Sequence, residues 1–186
     1  MAFAAKRPAS YQDILDLPDH LTGQIVAGEL HVQPRPAPRH AIAVGGLFSE
    51  LDPPFKRGRG PGGWIIPFEP ELHLQRDVLV PDLAGWRPER MPEVPVDKAY
   101  FDLAPDWVAE GLSRSTETFD RGTKLKIYAR ERVPHVWFVN AEVQSLEVLR
   151  LDGETYRVID VFSGDAKLRG EPFDAIELDL AVLWQR

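Results

Sequence analysis

Three residues, in the order Asp82, Glu110, Lys124, have the types and settings that phosphodiester hydrolysis calls for. Asp82 follows the apolar run Val78-Leu79-Val80 and Pro81, near a strand end from which it can project into a cleft. Glu110 stands inside Trp107-Val108-Ala109-Glu110-Gly111-Leu112. A carboxylate among such neighbours is costly unless it has a partner or a metal. Lys124 has Asp120 and Tyr128 four residues to either side, so on a helix the three share a face, while Lys126 points to nearly the opposite one. Hard cations take oxygen ligands, and Mg²⁺ needs only one or two carboxylates plus waters. Such an ion polarises a phosphate and ionises water. A lysine beside it can orient that water and offset the charge that develops. Each residue also has a plainer reading: Pro-Asp as a turn pair, Glu110 as an edge-strand residue facing water, Lys124 as part of a solvated stripe with a weak ion pair. Their order along the chain says more than any one of them.

The rest of the composition narrows the classes. The chain has 186 residues, 44% hydrophobic and 27% charged, which suits one globular α/β domain spanning 1–186. There is no cysteine, so disulfides, zinc-thiolate sites and cysteine nucleophiles are excluded. No apolar run reaches membrane-spanning length. The N-terminal apolar stretch is too short for a signal peptide, so a cytoplasmic protein without membrane contact is expected. The net charge of −7 argues against a generic polyanion binder. Between Leu112 and Pro134, however, six Lys and Arg face three Asp and Glu, a net +3 that suits the approach of a phosphate.

The elements that must position these residues can be read from punctuation and periodicity. Ser10 caps a helix over Tyr11–Leu17. Gln24–Val26 and Leu30–Val32 flank Ala27-Gly28-Glu29 as a hairpin, and this N-terminal part, about 10–33, belongs to the same domain. Pro34, Pro36 and Pro38 make a stiff connector. Ile42, Val44, Leu47 and Leu51 mark a helix from about Arg39 that Pro53-Pro54 ends. Lys56 to Gly63 reads as a basic, Gly-rich loop without the ending of a phosphate-binding Walker loop. Extended segments follow at Trp64–Glu69, Glu71–Gln75 and Leu79–Trp86, then a charged loop or flap over Arg87–Asp97. Trp107–Leu112 reads as a buried strand, Thr116 to Arg130 as a helix, and Val136–Asn140, Ser145–Leu151 and Tyr156–Val161 as strands. Leu178–Trp184 reads as a final helical turn. A mixed sheet flanked by helices is the natural architecture.

The stretches Gly28-Glu29-Leu30, Pro38-Arg39-His40, Pro81-Asp82, Glu110 to Thr116, Asp120–Tyr128 and Val133–Asn140 together resemble the Uma2-like restriction-endonuclease group of the PD-(D/E)XK nuclease superfamily. The most specific block is Glu-x-x-Ser-x-Ser-Thr followed by Asp-x-x-x-Lys-x-x-x-Tyr. The resemblance implies a restriction-endonuclease-like core, a four-stranded mixed sheet between helices. It implies Asp82 and Glu110 as metal ligands and Lys124 as the catalytic lysine. In most of the superfamily that lysine lies two residues after the second acid, where this chain has Leu112. Gln24 and Ala27 stand where many relatives carry Glu and Asp, and Gly111 replaces a more usual β-branched residue.

The expected function is therefore a Mg²⁺- or Mn²⁺-dependent endonuclease acting on DNA. The ion would be held by Asp82, Glu110 and the backbone carbonyl of Gly111. Accessory roles are open to Gln24, Glu71, His40, Ser113, Asp120 and Tyr128, with His40 leaning to a structural or peripheral part. Arg39, Arg114 and Arg121 are candidate DNA contacts. The alternative is a catalytically inactive nucleic-acid-binding or assembly module that keeps the fold. A serine-hydrolase reading is weak, since Ser113 and Ser115 lack the Gly-x-Ser-x-Gly elbow. A homodimer is expected, because two strands need two cuts and small α/β domains often pair through a sheet edge.

Overall fold

The computed structural model describes residues 7–55 and 61–185. The Lys56–Gly60 part of the expected basic loop and the first six residues lie outside them. Three sheets are present among the described residues: four strands in the order β2-β1-β4-β3, five in the order β5-β6-β7-β8-β9, and the small pair β10-β11.

The chain opens with α1 (Tyr11–Leu15), started by a capping box between Ser10 and Asp13. β1 (Leu21–Val26) and β2 (Glu29–Pro34) form the expected hairpin. Ala27 and Gly28 both take left-handed backbone, at φ 52° and 81°, which suits a two-residue turn. Helix α2 (Pro38–Phe55) begins at its proline, where a missing N–H costs nothing. It continues through Pro53 and Pro54 rather than stopping before them. A proline removes an N–H and crowds the preceding turn. Only the last turn is affected, and its end is secured by Gly62 and Trp64, whose amides donate to the Pro54 and Phe55 carbonyls at 3.0 and 2.9 Å.

The extended stretch expected at Leu79–Trp86 is divided. β3 (Leu72–Leu74) and β4 (Asp77–Leu79) belong to the four-stranded sheet, while β5 (Leu83–Gly85) belongs to the five-stranded one. Pro81, with no N–H to give a ladder, stands at the change-over. Residues 64–69 make only isolated bridges, Ile65 with Trp86 and Phe68 with Leu83. In the larger sheet, β6 (Trp107–Gly111) runs antiparallel to β5 and parallel to β7 (His135–Asn140), so the sheet is mixed. β8 (Ser145–Asp152) and β9 (Thr155–Ser163) complete it with antiparallel pairs, giving five strands rather than four.

Alternation along β6 and β7 sorts the core into two halves. Trp107, Ala109, Trp137 and Val139 pack with α2 and with Leu183 of α5 (Ala181–Trp184) on one face. Val108, Val136 and Phe138 pack with Ile127 and Tyr128 and with the smaller sheet on the other. Leu178 and Asp179 form β11 against β10 (Lys167–Leu168) instead of joining the last helical turn.

The expected helix over 116–130 is present in three segments: α3 (Glu117–Phe119), a π-helical turn (Asp120–Lys124) and α4 (Leu125–Arg130). The dihedrals stay helical across both joints. A π turn carries one extra residue in a helix and is frequent at functional sites.

Candidate active site

Asp82 stands one residue before β5, and the first pair of β5 and β6 is Leu83 with Ala109. The next position outward sets Asp82 across from Glu110. Alternation then gives them one face: Ala84 and Val108, each two residues further in, share the same half of the core. That half faces α4, and the π turn lies over Glu110. Lys124 Nζ lies 3.0 and 2.9 Å from the two Glu110 oxygens and 3.2 Å from Asp120 Oδ1. Tyr128 donates its hydroxyl to Glu110 Oε1 at 2.5 Å. Leu112 takes no part. It is buried in the core beside Ile127 and Tyr128, so the cation comes from the helix.

Gly111 explains how His40 arrives. A side chain on Gly111 would lie 2.5 Å from His40 Cε1, so the ring occupies the space a Cβ would fill. Through that gap His40, in the first turn of α2, crosses the end of β6 and binds Asp82 Oδ1 at 2.7 Å. The Gly111 amide donates to Asp82 Oδ2 at 2.6 Å. Gly111 thus lies in a paired, buried strand whose smoothness lets a histidine through. His40 is a component of the site, not a peripheral residue.

The charges are unbalanced. Glu110, Lys124 and Asp120 are each 2–3% exposed. Three carboxylates crowd one ammonium. Burial pushes Glu110 up to about 8; Lys124 opposes this, and Asp120 and Asp82 add to it. Lys124 is also raised, because Glu110 and Asp120 outweigh the pull of burial. His40 is raised as well: burial draws it down, but the bond to Asp82 and the nearby acids more than offset that. The surrounding acids make Lys124 and His40 hold their protons more tightly, and add to the effect of burial on Glu110.

These groups open into one cleft of about 490 Å³. Its walls include the β2 strand with the proline connector and the Ser113–Thr116 loop. Asp82, Glu110, Lys124, His40, Gly111, Ser113 and Asp120 all reach the cleft. Tyr128 stands behind Glu110. Other candidates lie elsewhere. Gln24 is fully buried in β1; its Oε1 accepts from the Val80 amide at 3.0 Å and its Nε2 has no partner. Glu71 binds His73 at 2.7 Å and is not among the cleft residues.

The expected basic neighbourhood is not realised in space. Arg121 is held by Glu117 and Glu147 and lies over the Phe138 ring. Arg114 pairs with Glu142 at 2.9 Å, Arg130 pairs with Asp77 at 2.7 Å, and Lys126 is exposed. Arg39 lies on a separate small hollow beside Glu142 and Trp184. Of the residues counted as basic in this stretch, Lys124 alone reaches the cleft. The cations lie close to the acids in sequence and are therefore consumed by them. Sequence reasoning also passed over Arg35 and Glu69, which face each other at 3.8 Å at the cleft.

The donor set can be weighed against a divalent ion. Among the described residues it consists of carboxylate oxygens, with Glu69, Asp82, Glu110 and Asp120 against Lys124 and Arg35. This is hard-cation chemistry with a deficit of positive charge, and Mg²⁺ or Mn²⁺ fits it. No group of three His, Asp or Glu among the described residues is spaced to hold a metal as it stands. Glu110 is turned to Lys124 and Tyr128, so an ion there competes with the ammonium for that carboxylate.

The model of the Uma2 family, described as "Putative restriction endonuclease", matches residues 10–182. The chain is similar in structure to a protein from Anabaena variabilis ATCC 29413 described as a "putative nuclease belonging to DUF820". The two are 20% identical with a TM-score of 0.76, over 95% of this chain and 98% of that one. At that identity the likeness establishes the fold. No curated protein matches.

Proposed function

This chain belongs to the Uma2 family, and from that premise we propose that it is a divalent-metal-dependent endonuclease that hydrolyses DNA phosphodiester bonds. One observation carries the reading. Asp82 and Glu110 sit across from one another on one sheet face, and the Lys124 ammonium bridges Glu110 and Asp120 at the floor of a single cleft.

In this reading Asp82 and Glu110, with the Gly111 carbonyl, would hold Mg²⁺ or Mn²⁺. When bound, the ion would polarise the phosphate and lower the pKa of a water beside it. His40 and the Gly111 amide each hold one oxygen of Asp82, which fixes its orientation. Asp120 at the cleft wall holds Lys124, and Tyr128 holds Glu110 from behind. Lys124 is then the cation that orients the attacking water and stabilises the charge developing on the phosphate. Its burial strengthens that effect, because charges act more strongly in a dry site.

Calorimetric titration with Mn²⁺ and a cleavage assay on both plasmid and single-stranded DNA test the reading together. Wild-type protein should bind the ion with modest affinity and nick DNA only in its presence. Asp82→Ala should show no binding at this site. Unchanged heats would mean that the ligands are misassigned.

The buried pairing of Glu110 favours a second reading, a catalytically inactive nucleic-acid-binding or assembly module. It takes over if no substrate is nicked in Mn²⁺. A cytoplasmic homodimer belongs to the first reading. The nine-residue edge strand β9, with exposed Val158 and Val161, supports pairing between copies. Size-exclusion chromatography checks it.

A further inference from the structure

We propose that the cleft takes an unpaired nucleotide strand, with one base against the His31–Phe119 stack, rather than an intact duplex. The inference deepens the nuclease reading above and rests on it.

The first ground is depth. Glu110, Lys124 and Asp120 are 2–3% exposed, and the side chains of Asp82 and His40 15%. A phosphate must therefore descend to them. A cleft of about 490 Å³ is in the range of small-ligand sites, roughly 300–1,000 Å³. Enzymes that do chemistry on a base inside such a pocket work on a single strand or turn the nucleotide out of the helix, and a phosphate that must reach a floor of this depth meets the same obstacle in a duplex.

The second ground is charge. Duplex binding is dominated by Lys and Arg laid along two phosphate backbones. Here Arg114, Arg121 and Arg130 are tied to carboxylates away from the cleft, and among the described residues Lys124 and Arg35 are the cations that line it. That suffices for the phosphate being cut and a neighbour, not for a backbone tract.

The third ground is the wall. His31 on β2 and Phe119 on α3 stack at 4.6 Å with an interplanar angle of 30°, and both line the cleft. The Lys124 ammonium is 5.9 Å from the centre of the Phe119 ring. A base against this stack would have its own phosphate within a nucleotide's length of the lysine. Aromatic surfaces hold unpaired bases in this way without reading their sequence. On the same rim the Ser113 hydroxyl lies 3.0 Å from those of Ser115 and Thr116, an uncharged trio suited to phosphate oxygens. Together these are the fittings of one nucleotide: base, phosphate and reactive groups.

The probes are a short single-stranded DNA carrying 2-aminopurine, the same strand as RNA, and the blunt DNA duplex. Binding is read by fluorescence quenching and anisotropy in Ca²⁺, and cutting separately in Mn²⁺. Wild-type protein should quench 2-aminopurine and bind a single strand at least roughly tenfold more tightly than the duplex. Phe119→Leu, which removes the ring but stays apolar against the core, and His31→Ala should lose the quenching and about tenfold in affinity, with circular dichroism unchanged. Preference between the DNA and RNA strands assigns the sugar, and either supports the proposal. A duplex bound and cut as well as the single strand overturns it and leaves the nuclease standing. Quenched single strand that is never cut overturns the nuclease alone. No binding of any probe overturns both.

Discussion

Two buried carboxylates on strands of different sheets meet cations from the same helical segment, and they fare differently. Asp77 on β4 is 2% exposed, accepts the Ala27 amide at 2.7 Å on one oxygen and Arg130 at 2.7 Å on the other, and Arg130 reaches solvent. Each oxygen has a partner, and the pair closes the hairpin onto the helix. Glu110 on β6 has Lys124 and Tyr128, yet it shares that ammonium with Asp120 and sits beside Asp82 at a cleft. The first site is settled and holds the fold. The second has more acid than its cation can neutralise, which is the condition of a site that waits for a charged ligand.

The widest separation expected between them is in rate. Lys124→Ala should lower metal-dependent nicking by roughly a hundredfold or more, whereas Arg130→Ala should leave nicking intact. Cleavage assays on single-stranded and plasmid DNA with both variants, and matched circular dichroism, decide it. Next comes stability. Asp77→Ala removes the carboxylate that receives Ala27 and Arg130, and chemical denaturation should register a loss of about 1–3 kcal/mol. An unaffected midpoint would mean that Asp77 is not a clamp.

A smaller effect lies in pH. Because Glu110 is raised to about 8, the folded state holds more protons than the unfolded one from the ordinary carboxylate range up to that value. Stability in chelator should therefore fall as pH rises through this window. His40, also raised, acts in the same sense. His135, lowered mainly by burial, acts in the opposite one, favouring the fold as pH rises. Glu110→Gln should flatten the fall, measured as melting temperature against pH. An identical slope would remove the charge surplus from the account. Lys126→Ala should do least, within about 0.5 kcal/mol of wild type and with nicking preserved. Loss of nicking there would transfer the lysine's role.

Much of this was legible in the chain. Apolar runs interrupted by single carboxylates located Asp82, Glu110 and β6, and i, i+4 spacing grouped Asp120, Lys124 and Tyr128. Three things were not legible. The split at Pro81 depends on which sheet each short strand joins, a tertiary choice. His40 lies forty-two residues from Asp82 in a different element and reaches it past Gly111, and only the missing Cβ there, which would lie 2.5 Å from the ring, discloses the path. The basic count over 112–134 failed because neighbouring carboxylates draw the arginines away; a sum of charges has no direction.

The π turn at Asp120–Lys124 makes this site sensitive to length in a way it is not to composition. α4 is fixed by Ile127, Tyr128 and Ala129 in the core, while Phe119 and Asp120 face the cleft. The extra residue sets the phase between these two halves. Gly122 and Thr123 lie on its outer side, and a Cβ at Gly122 would meet nothing within 4 Å, so substitution there is cheap. Deleting either one is not. An α-helix advances about 100° and 1.5 Å per residue, so closing the turn would rotate Asp120 and Phe119 out of the cleft while every side chain of α4 stayed packed. The protein would remain folded and the chemistry would be out of register, an insertion or deletion achieving what no single exchange of side chains at that surface could.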